Sequence, residues 1–243
     1  MSLAKFDPEV IRQKSAEFET ASLEEILRWC WETYGDRAGI GTSFQGAGLA
    51  AMHTAYQLGY RFPVFTIDTG LLFEETLDLK AKIEAKIGIV IESLLPESTL
   101  EQQEAELGPR LWNRNPDLCC SLRKVIPLQN RLSQLDVWIT GLRRGQSDGR
   151  SKTQIAELYK FDVLRDRYIL KLNPMANWSR DEVQAYLRKH DIPTNVLLEQ
   201  GYRSIGCKPC TRPVGEGDDE RAGRWTGFDK SECGIHTFLG ASI

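Results

Sequence analysis

The sequence predicts an α/β protein, a parallel sheet flanked by helices that runs into a flexible C-terminal tail. Three observations predict it. Short apolar runs at residues 38–44, 63–68, 89–94 and 137–141 alternate with helical patterns of ten or more residues. Right-handed crossovers turn that alternation into a parallel sheet. Each of three runs ends on small or polar residues, at Ser43, at Asp68 to Gly70, and at Gly141 to Arg144, and open parallel sheets bind ligands at the carboxyl ends of their strands. Beyond residue 210 periodicity gives way to Pro213, Gly215, Gly217, Asp218 and Asp219. The expected organisation is a single domain with its α/β body over residues 1–210 and a mobile tail over 211–243.

In chain order, residues 7–34 read as two helices, the second opened by a capping box in which Ser22 and Glu25 satisfy each other's backbone N–H. Cys30 sits among helical apolar positions and reads as a small buried hydrophobe. The first strand runs into Gln45-Gly46-Ala47-Gly48 and a helix near 49–58. A small-residue turn at a helix N-terminus suits an anionic oxygen, because free N–H groups and the helix dipole point the same way. A helix over 73–87 follows the second strand. Residues 117–125 read as a helix start that carries Cys119, Cys120, Arg123 and Lys124, each cation four residues after a thiol. Arg143 and Arg144 follow the fourth strand and form either an anion clamp or a solvated loop. Residues 161–164 and 168–172 look like a short hairpin or edge strands. Ser179 with Glu182 opens a further helix, which residues 191–193 close.

Composition narrows the function. The chain has 243 residues, with 31 Lys and Arg against 34 Asp and Glu for a net charge of −3. That balance gives no general reason to bind nucleic acid or an anionic membrane. No apolar run approaches the roughly eighteen residues of a membrane span, and the N-terminus lacks the apolar core of a secretory signal. A cytoplasmic protein is expected. Six cysteines could make disulfides, but the adjacent Cys119-Cys120 with Cys207-x-x-Cys210 is poor disulfide spacing and good spacing for a metal or iron–sulfur site. Cys233 stands apart in the tail and reads as a nucleophile. Arg221 and Arg224, three apart, face one way on a helical turn, and the tail is expected to order over a bound anion.

These residues resemble a known family. Cys119-Cys120 with Cys207-x-x-Cys210, and Glu232-Cys233-Gly234-Ile235-His236, are similar to motifs of the assimilatory adenylyl-sulfate (APS) reductases, within the wider group of APS and PAPS (phosphoadenylyl-sulfate) reductases. The stretches around Asp68, Gly141 and Arg221 match less specifically. The resemblance implies an adenine-nucleotide α-hydrolase type of fold and a [4Fe–4S] cluster on the four cysteines. It also implies thioredoxin-dependent or glutaredoxin-dependent release of sulfite through an S-sulfocysteine at Cys233. Lys124 and His236 are the expected catalytic helpers, and Ser43, Asp68, Gly70, Arg143, Arg144, Arg221 and Arg224 the expected substrate contacts. The loop departs from the family, with Gln45, Gly48 and Leu49 where a second serine and an acidic pair are usual, which leaves backbone N–H groups to hold the nucleotide. PAPS as substrate, a non-catalytic iron–sulfur sensor, and a zinc-stabilised nucleotide-binding protein or ATP-using relative of the same fold are the competing readings. Assembly as a homo-oligomer is left open.

Overall fold

A computed structural model describes residues 6–215, 217–228, 230, 232 and 234–236. Its centre is a six-stranded sheet of order β3-β2-β1-β4-β6-β5. The strands are β1 (Ala38–Gly41), β2 (Val64–Ile67), β3 (Ile91–Leu94), β4 (Val137–Ile139), β5 (Ala156–Asp162) and β6 (Arg167–Leu172). β1, β2, β3, β4 and β6 run parallel, and β5 pairs antiparallel with β6. The expected parallel sheet is therefore present with one antiparallel edge. The hairpin drawn at 161–172 is longer than its sequence suggests and is part of the same sheet, because β6 pairs with β4 in register Trp138 to Lys171. Lys171 interrupts the apolar run that marks a buried strand, so the sequence reads β6 as an edge strand although it lies between β4 and β5.

Helices cover both faces. α1 (Pro8–Glu17), α2 (Leu23–Tyr34), α3 (Ala47–Gln57), α4 (Glu74–Ile87) and α9 (Arg180–Lys189) are joined by α5 (Leu100–Leu107), α6 (Leu111–Arg114), α7 (Pro116–Cys120) and α8 (Ile126–Leu132). Both expected capping boxes form, Ser22 with Glu25 and Ser179 with Glu182. A larger apolar cluster takes Ile40, Leu49, Ile139 and Leu170 on one side, and a smaller one takes Phe65, Leu128, Trp138 and Tyr159 on the other. β1 shows how alternation builds this. Ile40 faces the larger cluster, while Gly39 and Gly41 face the smaller one. A Cβ on Gly41 would lie 2.6 Å from the Trp138 indole nitrogen. The missing side chain lets that indole lie across the strand's end.

From β1 the chain steps outward to β2 and β3, then returns to place β4 on β1's other side. The order reverses between β1 and β4, and ligands bind at the carboxyl edge of such a reversal. α7 passes into a single π turn over Ser121–Val125 before α8, a distortion common at functional sites.

Candidate functional site

Two cavities adjoin at that carboxyl edge. The larger, about 200 Å³, lies over the ends of β1, β2 and β4. Its floor is the loop after β1. Phe44 and Gly46 take positive φ values of 57° and 25°, and Thr42 Oγ1 accepts the Phe44 N–H at 3.0 Å. A Cβ on Gly141 would meet the Gly48 nitrogen at 2.7 Å, and one on Gly48 would meet Thr42 Oγ1 at 2.8 Å. The first turn of α3 thus lies directly on the β1 and β4 ends. Gln45 bonds the backbone of Ile205 through both ends of its amide, at 2.9 and 3.0 Å. That side chain ties the loop to the segment leading into Cys207. Ser43 lines the cavity and accepts a hydrogen bond from Gln45 at 3.1 Å.

Among the described residues, five cations line this cavity against two carboxylates: Lys124, Arg150, Arg203, Arg221 and Arg224 against Glu220 and Glu232. In a chain of net charge −3, that concentration marks an anion site. The first half of the segment expected to form a mobile tail folds back on itself and bonds Cys210 in the structure. Arg212 N–H donates to Gly223 O at 2.8 Å, and Trp225 N–H donates to Cys210 O at 3.1 Å. Arg224 lies 4.5 Å from the Trp225 ring centroid and Arg221 5.6 Å from it. Gly206 lacks the side chain that would collide with the Arg224 guanidinium.

The residues around Cys233 meet the cavity as well, while Cys233 itself lies outside the described residues. Arg150 grips both oxygens of Glu232 at 2.9 Å each, and Arg221 adds a contact at 3.1 Å. Tyr159 donates its hydroxyl to Ile235 O at 3.2 Å. His236 stacks on Trp138 with centroids 5.1 Å apart and planes 9° apart. Burial holds the His236 pKa well below the ordinary imidazole value, and Lys171, Arg150 and Arg221 push it the same way. The docked imidazole is therefore neutral, and its Nδ1 has no hydrogen-bond partner among the described residues.

The smaller cavity is lined by Cys119, Cys120, Cys207 and Cys210 with Arg123 and Lys124. The last two residues of α7, Cys119 and Cys120, supply one pair of thiols just before the π turn. Cys207 and the turn Lys208–Cys210 that it caps supply the other, anchored by Lys208 N–H donating to Leu71 O at 2.8 Å. Burial pushes the Cys119 thiol up to about 12, and the other three cysteines add to it. Burial opposes ionisation of Cys207 too, but Lys124, the Thr69 hydroxyl at 3.3 Å and Arg224 outweigh it and its pKa falls. No group of three or more His, Cys, Asp or Glu among the described residues is set for a single metal ion. Four sulfur donors line one small cavity, a soft-ligand set that suits an iron–sulfur cluster or zinc. Thr69, Lys124 and Cys207 line both cavities. Cys30 is fully buried in α2 and burial raises its pKa.

The structure brings Ser43, Lys124, Arg221, Arg224 and His236 to the larger cavity and the four cysteines to the smaller one. Four expected contacts lie elsewhere. Arg144 pairs with both oxygens of Glu19 at 2.7 and 2.9 Å and with Asn177. Arg143 is buried against Glu220 at 3.4 Å, outside the cavity lining. Asp68 Oδ1 accepts the Gly70 N–H at 2.9 Å, and Gly70 turns toward Arg123. Adjacent residues after a strand point to opposite sides, so a motif read as one contact surface divides. Arg150, Trp138, Tyr159 and Trp225 were not singled out: Trp138 sits inside an apolar strand run, Trp225 in the tail stretch, and Arg150 in a turn with no distinguishing pattern.

Residues 39–213 match the phosphoadenosine phosphosulfate reductase domain. The chain belongs to that family. Relatives within it include an adenosine 5'-phosphosulfate reductase of Streptomyces coelicolor, 44% identical over 90% of each chain. Another, from Salinibacter ruber, is 42% identical over 92% of this chain and 87% of its own. Among solved structures, phosphoadenylyl-sulfate (PAPS) reductase from Candida auris, in a phosphate complex, superposes with a TM-score of 0.73 at 27% identity. It covers 84% of this chain and 97% of its own. A Candida glabrata FMN adenylyltransferase, with a TM-score of 0.55 at 12% identity over 91% of this chain and 76% of its own, shares the fold alone. The family that the cysteine and tail motifs resemble is the one to which the chain belongs.

Proposed function

We propose that this protein reduces adenylyl sulfate to sulfite and AMP in sulfate assimilation, with Cys233 as nucleophile. The observation that carries the reading is the cationic cavity at the strand reversal, which shares Lys124 with the four-cysteine cavity and receives Glu232 and His236 from either side of position 233.

Adenylyl sulfate is a mixed phosphoric–sulfuric anhydride, so its sulfur is electrophilic and AMP leaves well. The Cys233 thiolate attacks that sulfur, the bond from sulfur to the bridging phosphate oxygen breaks, and that oxygen keeps the electron pair. Loop N–H groups at the start of α3 and the Ser43 hydroxyl face the nucleotide's oxygens. Lys124, Arg150, Arg221 and Arg224 neutralise the phosphate and sulfate and favour the thiolate over the thiol. Arg150 and Arg221 also offset Glu232, whose charge beside the thiol would oppose ionisation. A dithiol protein of the thioredoxin or glutaredoxin type then attacks the Cys233 sulfur, releasing sulfite. Its second thiol resolves the mixed disulfide, so two electrons leave the dithiol and two enter the sulfur. A cytoplasmic setting, where such dithiols stay reduced, goes with this reading.

Cys119, Cys120, Cys207 and Cys210 hold a [4Fe–4S] cluster in this proposal. Bound there, it supplies a fixed anionic group and an anchor for the tail's root, since the dithiol already supplies both electrons. Lys124, hydrogen-bonded to Cys207 on one side and lining the cavity on the other, would be held by the anionic ligands and would present its own positive charge to the sulfate. The test is an anaerobic assay of sulfite release from adenylyl sulfate and from its 3'-phosphorylated form, with a dithiol present and the visible spectrum taken on the same sample. Sulfite from the first substrate by a brown protein is expected. A brown protein inert toward both would overturn the assignment, and preference for the second would move it to the sister activity.

A further inference from the structure

The tail is held in two ways, and only one uses cations that the substrate needs. Glu232 sits on Arg150 and Arg221, so an incoming sulfate or phosphate competes with it for the same guanidinium groups. The second hold uses none of them. Trp138 on β4, Tyr159 on β5 and Lys171 on β6 share one face of the sheet. Lys171 Nζ lies 5.8 Å from the Trp138 ring centroid and 4.4 Å from that of Tyr159, with its charge met by Glu157 at 2.8 Å. A lysine only 3% exposed is costly to bury, and it lies outside the residues that line the larger cavity. Its position braces two rings. Those rings receive the tail: Tyr159 donates to Ile235 O, the Ile235 side chain packs on the same apolar cluster, and His236 stacks on Trp138.

We infer that Trp138 and Tyr159, braced by Lys171, are positioning residues that dock the tail through its backbone and imidazole, independently of the anion site. The inference rests on the reading of Cys233 as nucleophile. A dock of this kind has two consequences. The tail stays at the cavity when substrate displaces Glu232 from its arginines, so sulfonation gains from docking. The sulfonated thiol must then reach a protein-sized reductant, so the second half-reaction gains from release.

Tyr159→Phe keeps the ring and removes the hydrogen bond to Ile235 O. The expected shift toward the released tail is about fivefold, the worth of one net hydrogen bond. In the cluster-loaded full chain without substrate, hydrogen exchange of the tail backbone around Ile235 should quicken by that factor, with exchange in β5 and β6 unchanged. With adenylyl sulfate, the ratio of the single-turnover sulfonation rate to the rate of reduction by the dithiol protein should fall. Trp138→Phe, which shrinks the stacking face, should move both readouts the same way. Unchanged tail exchange in both variants overturns the dock. Faster exchange with the two half-reactions unchanged, or slowed equally, overturns the positioning role and leaves a structural one. The exchange experiment needs no substrate, so its failure is distinct from a protein that releases no sulfite.

Discussion

Replacing Arg150 by glutamine removes the two-pronged contact on Glu232 and leaves Arg221 as that carboxylate's cation among the described residues. The two side chains are 13% and 17% exposed, so the pair is neither a screened surface bridge nor a fully buried one. A hydrogen bond to a charged group contributes about 1.5–3 kcal/mol. With Arg221 still in place, a coupling of about 2 kcal/mol follows, or about thirtyfold in the docked fraction. Arg150 also faces the substrate's anion, so a single variant mixes two losses. A double-mutant cycle separates them, using Arg150→Gln, Glu232→Gln and the pair, with tail hydrogen exchange read in the absence of nucleotide. Each single variant should open the tail, and the double variant should open it far less than the product of the two. Additive effects would show that Arg150 and Glu232 act separately and would refute the two-hold account of the tail.

Lys124→Ala should slow S-sulfonation by about a hundredfold, the usual loss when one preorganised charge is removed from a reacting centre. The visible absorbance should stay, because the four thiols remain; equal turnover would dismiss the residue's role. The docked His236 imidazole has its pKa well below that of a free imidazole near about 6.5. Protons therefore bind the released tail preferentially, so docking is complete above that value and weakens as pH falls below it. Tail exchange measured on either side of that pH checks the sign, and His236→Gln should flatten the dependence. Gly141→Ala places a Cβ 2.7 Å from the Gly48 nitrogen. It should cost about 1–3 kcal/mol in a denaturant melt and weaken nucleotide binding, because α3 must move off the end of β4. Cys207→Ser should remove the visible absorbance while the sheet's circular dichroism persists; retained absorbance would take Cys207 out of the ligand set.

Local patterns settled a good deal of this protein in the sequence alone. Alternating apolar runs gave β1 to β4, and Ser22 with Glu25 and Ser179 with Glu182 marked helix starts, because strand and cap signals depend on residues only a few places apart. The spacing of Cys119-Cys120 and Cys207-x-x-Cys210 named the four thiols that share one cavity, since sulfur donors leave few alternative roles. What the chain's own order could not decide was which side of a strand end each polar residue takes. Arg143 and Arg144 are neighbours in sequence, yet one is buried against Glu220 and the other is held by Glu19, 125 residues away in the case of Glu19. Arg150 comes to the cavity because a turn re-aims it, and Trp138 can lie over the end of β1 because Gly41 has no side chain there. Side-chain direction at a strand end is set by packing from other elements, so it is fixed by the tertiary structure and leaves no periodic trace in the sequence.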